Sequence, residues 1–151
     1  MKKVKKITKT FEKKELKKLH RKCKKLWSLV VRSKASNVCS ICGTDKFLHA
    51  HHIEDSRMCK SLRYDVKNGV ALCAKHHKFG KEAAHRGFIT IYKYLINNRL
   101  DDLSYLEKIR SNELEFTKTY LIDKIQELQL LLESLYIESV RSTLDGNNNC
   151  R

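Results

Sequence analysis

From Phe11 onward the apolar residues Leu16, Leu19, Cys23, Leu26, Trp27, Val30 and Val31 recur every three or four positions. That spacing places them on one face of a helix ending near Lys34, with lysine and arginine on the opposite face. Residues 1–10 before it read as a basic arm with little to bury. The pattern then changes. SNVCSICGTDK is a tight turn in which Gly43 supplies a positive backbone angle after the second cysteine. KFLHAHHI reads as a short strand and RYDVKNGVAL as its return segment, while CAKHHKFG, from Cys73 onward, reads as helical. Beyond Gly87 the helical period returns in FITIYKYLINNR, in DDLSYLEKIRSN and in a long stretch from Glu113 to Arg141. In that last stretch Leu121, Ile125, Leu128, Leu132 and Leu135 alternate in steps of four and three, about two to three heptads, near the lower limit for a coiled coil. The stripe suits a homodimer through this helix, or packing on its own domain. The terminal DGNNNCR reads as a frayed tail, and no internal repeat is present.

The predicted fold class is α+β and mostly helical. A basic arm and helix occupy 1–37, and a compact core of two short strands and a helix occupies 38–90. A helical C-terminal extension covers 91–145 and a tail 146–151.

Composition supports long helices, since the 151 residues include no proline and only five glycines. The longest apolar runs, LWSLVV and LQLLLESLYI, fall short of the ~18 residues that a membrane span needs. The lysine-rich N-terminus lacks the apolar segment of a secretory signal. The expectation is a soluble, intracellular (cytoplasmic) protein with no membrane partner. Net charge is +15 and unevenly placed: residues 1–38 hold fifteen Lys/Arg against Glu12 and Glu15, whereas residues 111–151 hold seven acids against four basic residues. A basic front of this kind suits a polyanion, nucleic acid first, because neutralising phosphates drives such binding.

Six cysteines in an intracellular setting point to metal rather than disulfides. Cys39 and Cys42 form one pair, and Cys73 and His76, with the same two-residue gap, form a second. Two such pairs bracketing a hairpin suit a tetrahedral structural zinc. Cys23 reads as a buried apolar residue, and Cys59 and Cys150 as incidental. The zinc set leaves His49, His51, His52 and His77. Side chains alternate along a strand, so His51 and His52 point to opposite faces: one can hold a metal while the other faces a phosphate. His77, beside His76, can turn toward His51. A divalent ion on two histidines beside a free imidazole is the equipment of a phosphodiester hydrolase.

The order CSIC, LHAHHI, LRYDVKNGVALC, AKHH resembles the HNH endonuclease family. From LWSLVVRSKASNVCSICG to KEAAH the chain is similar to small HNH nucleases of phages and prophages, over roughly residues 26–90. The resemblance implies a ββα-metal (HNH) core with zinc knuckles, and a DNA endonuclease activity (a hydrolase) in a phage-encoded protein of an infected bacterial host. It implies that His52 is the general base and that Asn68 holds the ββα loop and so orients it. His51 and His77 then bind the catalytic divalent cation (Mg²⁺, Mn²⁺ or Ni²⁺). Cys39, Cys42, Cys73 and His76 match the family's zinc-binding subset, with histidine where a fourth cysteine is usual. His51 stands where many members have aspartate. Two imidazoles form a softer site, which favours Mn²⁺, Ni²⁺ or Zn²⁺ over Mg²⁺.

His85, eight residues after His77, is an additional ligand if the helix runs that far, and His49 shares a strand face with His51 in a supporting or surface role. Arg57 and Arg63, in the loop between the strands, are candidate phosphate contacts. Taken without the histidines, Asn68-Gly69 reads as a hairpin turn. The alternative to a nuclease is a zinc-stabilised nucleic-acid-binding module without catalysis, which accounts for the charge and cysteines but not for the histidine spacing.

Overall fold

The computed structural model describes the backbone of residues 2–148 and the side chains of residues 11–144. In chain order the main elements are α1 (Lys2–Lys34), β1 (Leu48–His52), β2 (Gly69–Cys73), α2 (Ile89–Asn98), α3 (Leu100–Ile109) and α4 (Lys118–Asn148). Short helical turns cover Lys60–Leu62, Val66–Asn68 and Lys75–Phe79. The architecture is mixed α+β and mostly helical, with one two-stranded antiparallel sheet.

Both long helices outrun their predicted ends. The basic residues 2–10 continue α1 instead of forming a separate arm: lysine is a good helix former, and no proline or glycine interrupts the run. At the other end α4 continues to Asn148, so the expected tail begins inside a helix, and residues 149–151, Cys150 among them, lie outside the described residues.

α1 and α4 lie side by side and run in the same direction. Glu15 pairs with Lys118 at 2.8 Å near the start of α4, and the Cys23 thiol donates to the Leu121 carbonyl at 3.5 Å further along. Cys23, Trp27, Val30 and Val31 of α1 bury against Leu121, Ile125 and Leu128 of α4, with Leu132 and Leu135 partly buried on the same cluster. The first three residues of the stripe that suited a coiled coil, Leu121, Ile125 and Leu128, are therefore covered within the chain, because α1 presents a matching stripe to them, while Leu132 and Leu135 stay partly exposed. Burying each such side chain contributes roughly 1.5–3 kcal/mol.

β1 and β2 pair with Leu48 opposite Cys73 and His52 opposite Gly69. All five residues of β2 are buried. Val70 and Leu72 pack with Ile91 and Leu95 of α2, while Gly69 lies against α1. A Cβ on Gly69 would collide with a Val31 methyl and come within 3.1 Å of the Trp27 ring. Gly69 is extended (φ −117°, ψ 141°), so what this position requires is close approach, not turn geometry. The hairpin-turn reading of Asn68-Gly69 is corrected accordingly. Arg99, between α2 and α3, donates to the carbonyls of Gly69 and Lys67 and pairs with Asp102, tying the helical pair to the hairpin.

The helix predicted from Cys73 onward is present in part, as one short turn. Cys73 ends β2, and Lys75–Phe79 forms a single wide turn, closed by the Gly80 N–H on the Lys75 carbonyl at 2.8 Å. Gly80 then turns extended (φ −73°, ψ 161°) and stops it.

Candidate metal centres and active site

The first centre sits where the turn after α1 meets the end of β2. Gly43, at φ +70°, lets the chain double back, with its N–H on the Cys39 carbonyl at 2.8 Å and the Cys39 N–H on the Thr44 carbonyl at 2.7 Å. The Ser40 N–H binds the Ala71 carbonyl, fastening this knuckle to β2. Cys39, Cys42, Cys73 and His76 then bring four donor atoms within 4.8 Å of one another. Cys42 and Cys73 sulfurs are 3.9 Å apart, and the His76 Nδ1 lies 3.3 Å from the Cys73 sulfur and 3.5 Å from that of Cys39. Zinc–sulfur bonds of 2.3 Å in a tetrahedron imply sulfur–sulfur edges of roughly 3.7 Å, so the donor set fits zinc. Burial opposes ionisation of Cys39, but backbone N–H groups and the His76 ring outweigh it and bring this thiol down to about 6. A thiolate is the form that binds metal.

β1 carries the second group. His51 points into a cluster with His77, from the wide turn, and His85. Ring centroids are 5.2 Å apart for His51 and His77, 5.0 Å for His51 and His85 and 4.9 Å for His77 and His85. The Nε2 atoms of His77 and His85 are 3.2 Å apart, the separation of two nitrogens sharing one ion at about 2.0–2.1 Å. The His77 Nδ1 is buried and has no hydrogen-bond partner among the described residues. Burial, aided by the neighbouring rings, pulls both His51 and His77 down to about 4. These imidazoles are neutral at pH 7, as a ligand must be.

His85 joins the cluster by a route that helical spacing did not describe. The helix stops at Gly80, and the chain folds back so that the Ala84 N–H reaches the His76 carbonyl at 2.8 Å and that of His85 reaches the His77 carbonyl at 3.4 Å. His49, on the same strand face as His51, stacks on His77 at 5.1 Å and is exposed.

His52 points the other way. Its ring lies flat on the Trp27 indole, centroids 3.9 Å apart and planes 7° from parallel. Its Nε2 is 2.9 Å from the Arg63 carbonyl. A carbonyl only accepts, so Nε2 carries the hydrogen and Nδ1 keeps a lone pair. Burial lowers the His52 pKa, the charges of Lys24 and Arg63 add to this, and the Arg63 carbonyl and Asp55 oppose it. The ring is thus a neutral base of defined tautomer.

Asn68 is wholly buried and organises the loop between the strands. Its Oδ1 accepts from the Glu54 N–H at 2.7 Å, and its Nδ2 donates to the carbonyls of Glu54 at 3.0 Å and Leu62 at 3.1 Å. The Leu62 carbonyl belongs to the peptide next to the one whose Arg63 carbonyl holds His52, so the asparagine braces the segment of loop from which the ring is held.

The two loop arginines are placed differently. Arg57 is exposed and chelates the Asp55 carboxylate, closest at 2.8 Å. Arg63 donates Nε to the Ser56 carbonyl and lays its guanidinium over the Phe116 ring. Neither spacing nor motif pointed to Trp27 or Lys24 as neighbours of His52. The one available signal was that the chain's single tryptophan stands on the apolar face of a helix, with an indole N–H that needs a partner. No described helix is long and apolar enough to cross a membrane. Comparison with family models, curated proteins and solved structures found no significant match to this chain.

Proposed function

We propose that this protein is a metal-dependent DNA endonuclease of HNH type that hydrolyses phosphodiester bonds, with the zinc at Cys39, Cys42, Cys73 and His76 holding the scaffold. The observation that carries the reading is the division of labour at two adjacent residues. His51 enters a three-histidine cluster with His77 and His85, while His52 stands apart with a hydrogen-bonded Nε2 and an Nδ1 that has no partner among the described residues. In this reading His52 takes a proton from water at Nδ1, and the Arg63 carbonyl holds the ring's other nitrogen. Asn68 binds the Leu62 carbonyl, one peptide earlier, and so steadies that segment of the loop. His51, His77 and His85 hold a divalent ion, which when bound supplies charge stabilisation to the phosphate and the leaving 3′ oxygen. Three imidazoles favour Mn²⁺, Ni²⁺ or Zn²⁺ over Mg²⁺. Arg57, exposed and paired with a carboxylate two residues away, can exchange it for a phosphate. The exposed Lys/Arg face of α1 supplies the electrostatic contact with the DNA backbone.

The test is conversion of supercoiled plasmid to nicked circles by zinc-loaded protein with Mg²⁺, Mn²⁺ or Ni²⁺, beside a His52→Ala variant. Wild type is expected to nick with at least one ion, and the variant to bind without cutting. One base and one ion serve one strand, so a single chain nicks. Binding by both proteins with no cutting under any ion would overturn the nuclease reading in favour of a zinc-stabilised nucleic-acid-binding module.

A further inference from the structure

Trp27 lies outside the hairpin that carries the histidines, yet it makes the closest aromatic contact with His52. Its place is fixed from several directions. The indole N–H donates to the Asp65 carbonyl at 2.8 Å, and the ring is buried in the α1–α4 core. Gly69, opposite His52 across the sheet, leaves the space that lets α1 approach the strand there. Asp65 is itself fixed, since its carboxylate accepts from the Tyr105 hydroxyl at 2.7 Å and from the Lys67 N–H.

A single hydrogen bond from Nε2 to the Arg63 carbonyl fixes one point of an imidazole but leaves the ring free to swing about it. A flat ring with its centroid 3.9 Å away and its plane 7° from parallel removes that freedom. We propose that Trp27 is a positioning residue for His52: the indole face and the Arg63 carbonyl together set the plane and tautomer of the ring, and so aim Nδ1. This rests on the nuclease reading for its catalytic consequence, but not for the contact itself. When the ring accepts a proton from water it becomes a cation lying over an indole face, an arrangement that aromatic quadrupoles favour. Trp27 also belongs to the helix whose outer face is basic, so binding of a phosphate backbone to α1 and orientation of the base act through one rigid element.

The experiment compares full-length, zinc-loaded wild type with Trp27→Phe and Trp27→Met. Zinc content, melting temperature, plasmid affinity and single-turnover nicking are measured, together with the His52 ring resonances by NMR. Wild type is expected to show upfield-shifted His52 ring protons and a single Nε2–H tautomer. Trp27→Phe keeps a flat face and is expected to nick within about threefold of wild type. Trp27→Met fills the space without a face and is expected to lose about tenfold in rate at unchanged plasmid affinity, with both tautomers populated. A methionine variant that nicks like wild type, or loses rate only in step with affinity, overturns the proposal. If wild type itself does not nick, the nuclease reading fails and the tautomer comparison alone decides positioning. If the methionine variant does not fold, the wild-type resonances decide, and an unshifted or mixed-tautomer His52 overturns it.

Discussion

Gly69 and Val31 meet so closely that the strand has no room for a methyl group: a Cβ on Gly69 would overlap a Val31 side-chain methyl. The contact lies directly across the sheet from His52. Gly69→Ala is therefore expected to push α1 off the hairpin. Overpacking of this kind costs about 1–3 kcal/mol, readable as a lower midpoint in denaturant unfolding. Val31→Ala in the same chain should recover part of the loss. If the double variant is no more stable than Gly69→Ala alone, close approach is not what this glycine serves.

Asn68→Ala removes three hydrogen bonds from a fully buried position: the Glu54 N–H and carbonyl lose this partner, and the Leu62 carbonyl is left with the Asp65 N–H at 3.3 Å. The expected destabilisation is about 2–3 kcal/mol. Asn68→Asp keeps the acceptor but loses both donors and introduces a buried charge, so it should be no better. Under the nuclease reading, both variants lose nicking more steeply than they lose plasmid affinity. Equal loss of the two would point to unfolding rather than misdirected His52.

His20 offers a test by pH away from the metal centres. Its Nδ1 lies 2.7 Å from the Tyr64 hydroxyl, and its ring packs edge-on to Phe116 at 4.9 Å. Burial, with the charge of Arg63, holds its pKa below the ordinary 6.5. Above that value the ring is neutral in both folded and unfolded chains and contributes no pH dependence. Below it the unfolded chain takes the proton first, so stability falls as pH drops toward the folded pKa. His20→Gln is expected to flatten the fall in melting temperature between pH 7 and 5 relative to wild type. Parallel curves would exclude His20 as a contributor.

Zinc at the Cys₃His set should carry folding energy, since a free chain has no preformed site. Native mass spectrometry is expected to find a tightly held zinc that Cys42→Ala loses. Chelation of wild type should lower the melting temperature and expose the hairpin to hydrogen exchange. Cys23→Ala is the control: burial pushes this thiol up to about 11, and it lies in the α1–α4 core away from the site. It should lose packing stability and keep the metal.

Lys17, Arg21 and Lys24 are exposed on α1 and follow one another at helical spacing toward Trp27. If α1 binds a DNA backbone, replacing all three by alanine should reduce the slope of log affinity against log salt by roughly 2–3, at about 0.9 per phosphate contact. An unchanged slope would place the phosphate contacts elsewhere.

The chain's local patterns determined a good deal. The cysteine and histidine spacing picked out the Cys39, Cys42, Cys73 and His76 donors, because a tight turn brings residues three apart together: the Gly43 knuckle does so for the first pair and the wide turn after β2 for the second. Strand alternation put His51 and His52 on opposite faces, because the period of a strand is fixed by backbone geometry. What lay beyond local geometry was decided by packing and chain path. His85 meets His77 through a fold-back after Gly80 and not through helical turns, a course set by the wide turn and its backbone bonds. Leu121, Ile125 and Leu128 of the α4 stripe are covered by α1, which no periodicity within α4 could specify. Trp27 faces His52, twenty-five positions away in the sequence, because Gly69 admits the helix and the shared core fixes its rotation. Spacing fixes which face a side chain occupies; only the assembled core fixes what that face meets.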